Sequence, residues 1–461
     1  MERAAALQAL TALVGARHAF VAEAIDERYR TDLHRKTRCD PAIMVRPADT
    51  AQVSEVMRIA SIAGLKVTAL GGGTGLVGGG VAEDGGVVLS LERMSTIVEI
   101  DAQSMTMTVD AGVIVEAAQA AADAQGLLLP LDLGARGSAT IGGTIATNAG
   151  GTRVLRWGMM RDMVLGLEAV LADGTIVSSM VKSLKDNAGY DWKQLLIGSE
   201  GTLGIVTRAL LRLRVAPRSS QTALLAANSV GDVAKILRTL EARLAGRLSS
   251  FELMWRDFYA FVTAAQGRAL PMPADYPIYI LAEALGDAEE SDSEIFNAAL
   301  QELIEQELIT DAVIAQSSRQ RDDLWAIRDD LIEPMARLKP RCSFDVSMAL
   351  SDMARFVELV RDGLAEALPG ATVLLYGHGG DGNLHVTVGT HGADEGERRA
   401  SDAVYAATRA VGGSISAEHG IGRYKKAYIG FTRSPEELTL MRAIKKAFDP
   451  ANILNPGKIL P

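Results

Sequence analysis

Residues 70–80 read LGGGTGLVGGG, and seven of the eleven are glycine. Gly73, Gly75 and Gly78 spell G-x-G-x-x-G, the spacing of a dinucleotide-binding turn. Such a turn must open directly into a helix whose N-terminus faces the pyrophosphate. Here LKVTAL, 65–70, predicts a strand, and GGGVAEDGGVVLSLERM runs through an acidic turn into a second strand at Val87 to Leu91. The helix falls before the loop, in DTAQVSEVMRIASIAG, where Asp49 can cap and Val53, Val56, Met57 and Ala60 share a face. No Lys-Ser or Lys-Thr follows the glycines, which excludes a Walker A loop. A flexible linker joins domains, whereas this loop joins two apolar strands. What remains is a turn whose bare N–H groups can approach a phosphate or pyrophosphate closely.

Two further glycine clusters support that reading. PLDLGARGSATIGGTIATNAGGTRVLRWG, 130–158, repeats small residues (Gly137, Ser138, Gly142, Gly143, Ala146, Thr147, Gly150, Gly151) that let backbone approach a flat ligand. LLIGSEGTLGIVTRALLRL places Gly198, Gly201 and Gly204 before another strand, and Asp173-Gly174 in LGLEAVLADGTIV is a hairpin signal. At 461 residues the chain is expected to form two or three domains. A net charge of −10 without any basic block argues against a nucleic-acid surface. Cys39 and Cys342 are the only cysteines, too few for a disulfide framework and in keeping with a reducing compartment. No apolar run approaches the roughly 20 residues of a membrane span. The opening MERAAALQALTALVGARHAF, interrupted by Gln8 and Thr11, predicts a packed helix rather than a signal peptide, and a cytoplasmic protein is expected.

Four of the six histidines lie between 378 and 419. In TVLLYGHGGDGNLHVTV, 372–388, Asp381-Gly382 predicts a two-residue hairpin turn. Folding there pairs His378 with His385 on one face, about 5 Å apart, while Val373, Leu375, Leu384, Val386 and Val388 form a core face. Two imidazoles so placed can chelate a metal. In SISAEHGIGRYKK, 414–426, SISAE reads as a short strand, bent at once by Gly420 and Gly422. Glu418 would add an oxygen ligand to His378 and His385, leaving His419 for proton transfer. Imidazole favours zinc, and an open site with oxygen ligands also accepts manganese. His391, in a polar loop, receives no role. Trp325 and Arg328 lie three apart on a predicted helix, and an Arg held by aromatic stacking can grip a carboxylate bidentately.

The three glycine segments resemble the flavin domain of the vanillyl-alcohol oxidase superfamily. PLDLGARGSATIGGTIATNAGG and SLKDNAGYDWKQLLIGSEGTLGIVT are most similar to the FAD-linked D-2-hydroxyacid dehydrogenases, the hydroxyglutarate branch more than the lactate branch. The likeness runs from about residue 40 to the C-terminus. It implies an α+β fold: a vanillyl-alcohol-oxidase-type FAD domain of two α+β subdomains, and a substrate domain with an antiparallel sheet faced by helices. It implies FAD on Gly71, Gly72, Gly73, Thr74, Gly75, Leu76, Pro130, Asp132, Gly137, Ser138, Gly142, Gly143, Thr147, Asn148, Gly151, Glu200, Gly201, Gly204, Ile205 and, from the tail turn, Asn455. Some relatives attach the flavin through a His in the glycine loop; none lies there, so non-covalent FAD is expected. The metal set His378, His385 and Glu418, the base His419 and the carboxylate anchor Arg328 match the family's pattern, with Asn383 and Ser343 taken as further substrate contacts. The hydroxyglutarate branch tends to carry Thr and Lys where this chain has Ile332 and Ser343, which makes D-lactate or another shorter or more apolar D-2-hydroxy acid more credible.

The expected organisation is an N-terminal helical segment at 1–35, an FAD domain at 36–215, a substrate and metal domain at 216–440, and a segment at 441–461 returning to the FAD domain. The expected activity is dehydrogenation of a D-2-hydroxy acid such as D-2-hydroxyglutarate or D-lactate. Electrons would pass to electron-transfer flavoprotein or a quinone, and a homodimer is admitted. The rivals are an oxidase using oxygen, a transferase resembling alkylglycerone phosphate synthase, and a flavoprotein without catalysis.

Overall fold

The computed structural model describes residues 1–461, which divide into two compact units. The first comprises Met1–Gly150, Gly158–Ala216 and Glu418–Pro461, and the second Gly151–Trp157 and Pro217–Ala417. Residues 418–440, assigned from the sequence to the substrate domain, therefore belong with the N-terminal unit. The short stretch Gly151–Trp157 goes the other way.

In the first unit, α1 (Arg3–Val14) buries Ala6, Leu10 and Val14, one residue per turn on a single stripe. Strands β1 (Ala19–Phe20) and β2 (Ile43–Val45), helix α2 (Thr50–Ala63), and strands β3 (Val67–Leu70) and β4 (Val87–Ser90) follow. The Asp49 carboxylate caps α2 by accepting the Gln52 N–H at 2.8 Å, and Gly64, at φ +67°, closes it. Val53, Val56, Met57 and Ala60 are its buried face. The sheet order is β1-β2-β4-β3, with β2 and β3 both parallel to β4. Parallel neighbours require a crossover. Between β3 and β4 the glycine loop itself is that crossover, where a helix would ordinarily run.

A second sheet holds β5 (Ile97–Asp101) and β6 (Thr106–Asp110), while β7 (Leu127–Leu128) lies outside it and α3 (Ile141–Thr147) follows. The chain returns with β8 (Val164–Val170), β9 (Ile176–Ser179), β10 (Ile205–Arg212) and β11 (Arg214–Val215), which pairs with β7. The order β5-β6-β10-β8-β9 is antiparallel throughout. One apolar core serves both sheets, joining Val56, Val87 and Leu89 to Met107, Leu167 and Leu211.

The second unit is built on one seven-stranded antiparallel sheet. Its elements are β12 (Ser219–Ala227), α4 (Val230–Leu244), β13 (Leu248–Trp255), α5 (Arg256–Gln266), β14 (Ile278–Gly286), α6 (Glu289–Glu305), β15 (Asp311–Ile314), α7 (Ser318–Asp329), α8 (Ile332–Ala336), β16 (Arg341–Ser347), α9 (Met353–Ala367), β17 (Thr372–His378), β18 (Asn383–Gly389) and α10 (Gly396–Ala410). The order is β15-β12-β14-β13-β17-β18-β16. On one face, Leu224, Met254, Tyr279, Leu281 and Leu374 pack under Phe258 and Val262 of α5, Leu324 and Ile327 of α7, and Met335 of α8. No helix of the chain is long and apolar enough to cross a membrane.

SISAE does not form a strand. Ser414 makes a single bridge to Ser347; the Ser416 N–H then turns back to the Ser414 hydroxyl at 3.3 Å, and the Ala417 N–H donates to the Asp345 carboxylate at 3.2 Å. Side chains have replaced the ladder partners.

Candidate active site

The first unit encloses a cavity of about 460 Å³. Its wall takes in Gly71, Gly72, Gly73, Thr74, Gly75 and Leu76 from the crossover, Gly142, Gly143 and Thr147 from α3, and Glu200, Gly201, Gly204 and Ile205 before and at the start of β10. These are thirteen of the residues expected to meet FAD. Pro130, Asp132, Gly137, Ser138, Asn148 and Asn455 lie off the wall, and Gly151 belongs to the other unit. Asn148 ends α3 at φ +49°, its side chain accepting the Arg161 N–H at 2.9 Å.

The glycines divide by what requires them. A Cβ on Gly72 would stand 2.0 Å from the Ser138 carbonyl oxygen, and one on Gly71 2.5 Å from Thr140 Oγ1. Both are needed so that the crossover can lie on the 138–143 segment. Gly73 and Gly201 take φ +69°. Gly75 has neither reason: its φ is ordinary and nothing lies within 4 Å of a Cβ there. A wall glycine that no neighbour and no torsion requires leaves room for a ligand. No Lys or Arg lines the cavity, so an anionic cofactor would be met by backbone N–H groups and by hydroxyls such as Thr74 and Thr147. The residues present fit FAD on these grounds.

Glu418 and His419 also line this cavity, His419 Nε2 lying 3.4 Å from Glu418 Oε1. The turn that carries them is pinned by Glu200, whose Oε1 accepts the Ile421 N–H at 2.7 Å and whose Oε2 accepts the Gly422 N–H at 2.9 Å. Burial pushes the Glu200 carboxyl up despite these two bonds. Gly420, at φ +83°, passes so close that a Cβ would be 2.8 Å from Glu200 Oε1. Asn455 locks the tail: its amide nitrogen donates to the Gly79 and Glu200 carbonyls at 3.0 and 2.7 Å, and its oxygen accepts from Thr68 at 3.1 Å. Its polar atoms are thus engaged by the protein.

In the second unit the hairpin register differs from the sequence expectation. The turn spans Gly379–Gly382, so His378 faces Asn383 and His385 faces Tyr376. The two histidines are diagonal rather than directly opposite. The slip is two residues, which keeps every side chain on its face. Their rings still lie 5.3 Å apart at 82°, and Leu375, Leu384, Val386 and Val388 are buried behind them. The pairings extend this into two rows on one sheet face: Glu252, His378, Asn383 and Ser347, then Met254, Tyr376, His385 and Asp345.

Glu252 and Arg328 organise the first row. Glu252, fully buried, accepts from His378 Nδ1 at 2.8 Å through Oε1 and from Arg328 Nε at 2.8 Å through Oε2. Burial alone would push its carboxyl up; His378 and Arg328 outweigh that and hold it below the usual carboxylate range. The guanidinium lies over the Tyr376 ring at 5.0 Å, so Tyr376 rather than Trp325 is its stacking partner. Trp325 instead donates its indole N–H to Glu283 at 3.0 Å. With Nε spent, Arg328 keeps its two terminal nitrogens for a ligand. Asn383 Oδ1 is buried without a partner. Ser343 is exposed and shares a hydroxyl contact of 3.2 Å with Thr387, and Ile332 is 89% exposed.

Glu252, Glu283, Asp345 and Tyr376 were not singled out from the sequence. A signal existed: SSFELMW and IYILAEALG each carry one Glu inside an otherwise near-apolar strand, and a buried acid is seldom unpaired.

Residues 41–179 match a family described as an FAD binding domain, and residues 216–459 the C-terminal domain of FAD linked oxidases. The chain is 40% identical to a D-2-hydroxyglutarate dehydrogenase of Xanthomonas citri pv. viticola, over 94% of its length and 92% of the relative's. It is 38% identical to the mitochondrial D-2-hydroxyglutarate dehydrogenase of Bos taurus, covering 93% and 79%. It is 37% identical to a putative mitochondrial D-lactate dehydrogenase of Schizosaccharomyces pombe, covering 94% and 84%. Among solved structures, p-cresol methylhydroxylase aligns with a TM-score of 0.79 at 17% identity, over 99% of this chain and 96% of that one. Alkyldihydroxyacetonephosphate synthase aligns with 0.74 at 15%, over 99% and 85%. The fold is the expected α+β vanillyl-alcohol-oxidase type.

Proposed function

The chain belongs to the family of FAD-linked oxidases, and from that premise we propose that it oxidises a D-2-hydroxy acid, of the D-2-hydroxyglutarate or D-lactate kind, to the 2-oxo acid with the help of a divalent cation. The observation that carries this reading is the polar row on the second unit's sheet, where a guanidinium with unspent donors lies beside two imidazoles.

Arg328 binds the substrate carboxylate through its terminal nitrogens, with its plane set by Glu252 and Tyr376, which orients C2 and its hydrogen. His378, His385 and Glu418 are the residues that would hold the cation, zinc or manganese. Their fit rests on the donor chemistry: the His378 Nδ1 is engaged by Glu252, as ligating imidazoles ordinarily are. Support for Glu418 comes from chain continuity, because the residue before it, Ala417, is tied through its N–H to Asp345 beside His385. When bound, FAD supplies a two-electron acceptor at N5 and the cation a Lewis acid that lowers the pKa of a coordinated hydroxyl. His419 takes the hydroxyl proton. Electron-transfer flavoprotein or a quinone would be the electron acceptor.

The test is anaerobic titration of the yellow protein with D- and L-2-hydroxy acids, with and without chelator, following flavin bleaching. D-acids should bleach it, L-acids should not, and chelator should abolish the reaction. Bleaching indifferent to chelator would remove the cation, and no bleaching by any 2-hydroxy acid would remove the activity. Bleaching followed by rapid reoxidation in air would favour an oxidase.

A further inference from the structure

Glu252 touches two groups to which the proposed function gives different tasks. Its Oε1 meets His378 Nδ1 and its Oε2 meets Arg328 Nε, each at 2.8 Å, and the three side chains are buried on one sheet face. A carboxylate paired with a guanidinium has no proton to give and can only accept. His378 must therefore carry a proton on Nδ1, and in the neutral ring its Nε2 keeps the lone pair. The same carboxylate takes the Nε–H of Arg328, which turns the edge bearing Nη1 and Nη2 away from the sheet carboxylate.

We propose that Glu252 is a positioning residue that sets the cation site and the substrate anchor together, by fixing the His378 tautomer that leaves Nε2 unprotonated and the Arg328 rotamer that leaves its terminal nitrogens unspent. This rests on the reading of His378 as a cation ligand and Arg328 as the carboxylate anchor. The mechanism has a sharp consequence for Glu252→Gln. An amide has one acceptor where the carboxylate has two. Its oxygen goes to the charged Arg328 donor, and its NH₂ then faces His378 Nδ1, which must become an acceptor. The proton moves to Nε2 and blocks ligation. A single atom exchange at unchanged length thus removes a metal ligand without touching the metal.

The experiment compares wild type and E252Q, both with FAD bound and stripped of metal, for affinity toward zinc alone by competition with a chromophoric chelator. The flavin absorption spectrum and thermal midpoint report folding. E252Q is expected to hold zinc about 10–100-fold more weakly, and Glu252→Asp, too short to reach both partners, should weaken zinc binding and raise KM roughly tenfold. A folded E252Q with zinc affinity within about threefold of wild type overturns the proposal. Should E252Q fail to fold, ¹⁵N NMR of histidine-labelled, metal-free wild type decides: the Nδ1–H form at His378 supports the proposal, and the Nε2–H form overturns it. Wild type that takes up no zinc overturns the cation reading itself and this inference with it. Zinc held equally by both proteins overturns the inference alone.

Discussion

The two units build their sites from opposite materials. The cavity of the first is made by omission: side chains are missing at Gly71–Gly73 and Gly75, and no Lys or Arg lines the wall. The row on the second unit's sheet is made by inclusion, with Glu252, Arg328, His378 and His385 all buried. Omission costs conformational entropy and is offset by whatever fills the space. Inclusion costs desolvation and is stable only where each charge meets a partner. A cofactor that brings its own charge suits the first kind of site, and a small substrate that must be turned and deprotonated needs the second.

His419 is the sharpest place to break the contrast, because it is a titratable side chain on the cavity built by omission. Replacing it with Asn should leave FAD bound and cut turnover by roughly two orders of magnitude or more. Steady-state rates normalised to flavin absorbance check this, and near-normal turnover would remove the base assignment.

Lys458 tests the cost of a buried charge in the first unit. The residue is 4% exposed, and its ammonium donates to the Pro456 carbonyl at 3.2 Å and is pushed down from 10.5 to about 8, by burial first and then by Arg423. Between about pH 8 and 10.5 the folded amine is neutral while the unfolded one is still protonated. Unfolding takes up a proton in that window, so stability rises with pH across it, by at most about 1.4 kcal/mol per unit. Lys458→Met should melt about 1–3 °C above wild type at pH 7.5, and the advantage should shrink as pH approaches 10. A constant difference across that range would refute the assignment.

The two kinds of glycine can be separated by a pair of variants. Gly72→Ala places a Cβ against the Ser138 carbonyl and should destabilise the FAD-free protein by about 1–3 kcal/mol. Gly75→Val meets no protein atom near its Cβ, so it should change that stability by less than about 0.5 kcal/mol while weakening FAD binding roughly tenfold. Thermal melts and flavin titration distinguish them; equal FAD affinity in Gly75→Val and wild type would mean that the ligand does not pass there.

The same contrast explains what could be read in advance. Glycine density is a local property, so the three glycine segments were legible from their own residues as places of close backbone approach, while the helix α3 within the second was not foreseen. Helix α2 was legible to its cap because Asp49 and Gly64 act on neighbouring backbone. The hairpin was right in face and off by two in register, since the turn runs through Gly379–Gly382 and the strand ends were settled by pairing with β13 and β16 as much as by Asp381-Gly382. The strand expected in SISAE was lost to the local Ser414 hydroxyl, which takes the Ser416 N–H, and to a carboxylate from β16, which takes that of Ala417.

From the residues alone came the cavity's glycines, the imidazole pair and the W-x-x-R helix, because each depends on spacing within one segment. The tertiary structure decided that Glu252 holds both His378 and Arg328, that Tyr376 replaces Trp325 as the stacking partner, and that Glu200 and Asn455 lock the turn and the tail. These pairs lie tens to hundreds of residues apart. A buried charge is satisfied by whatever the sheet order sets opposite it, and sheet order is a property of the whole unit.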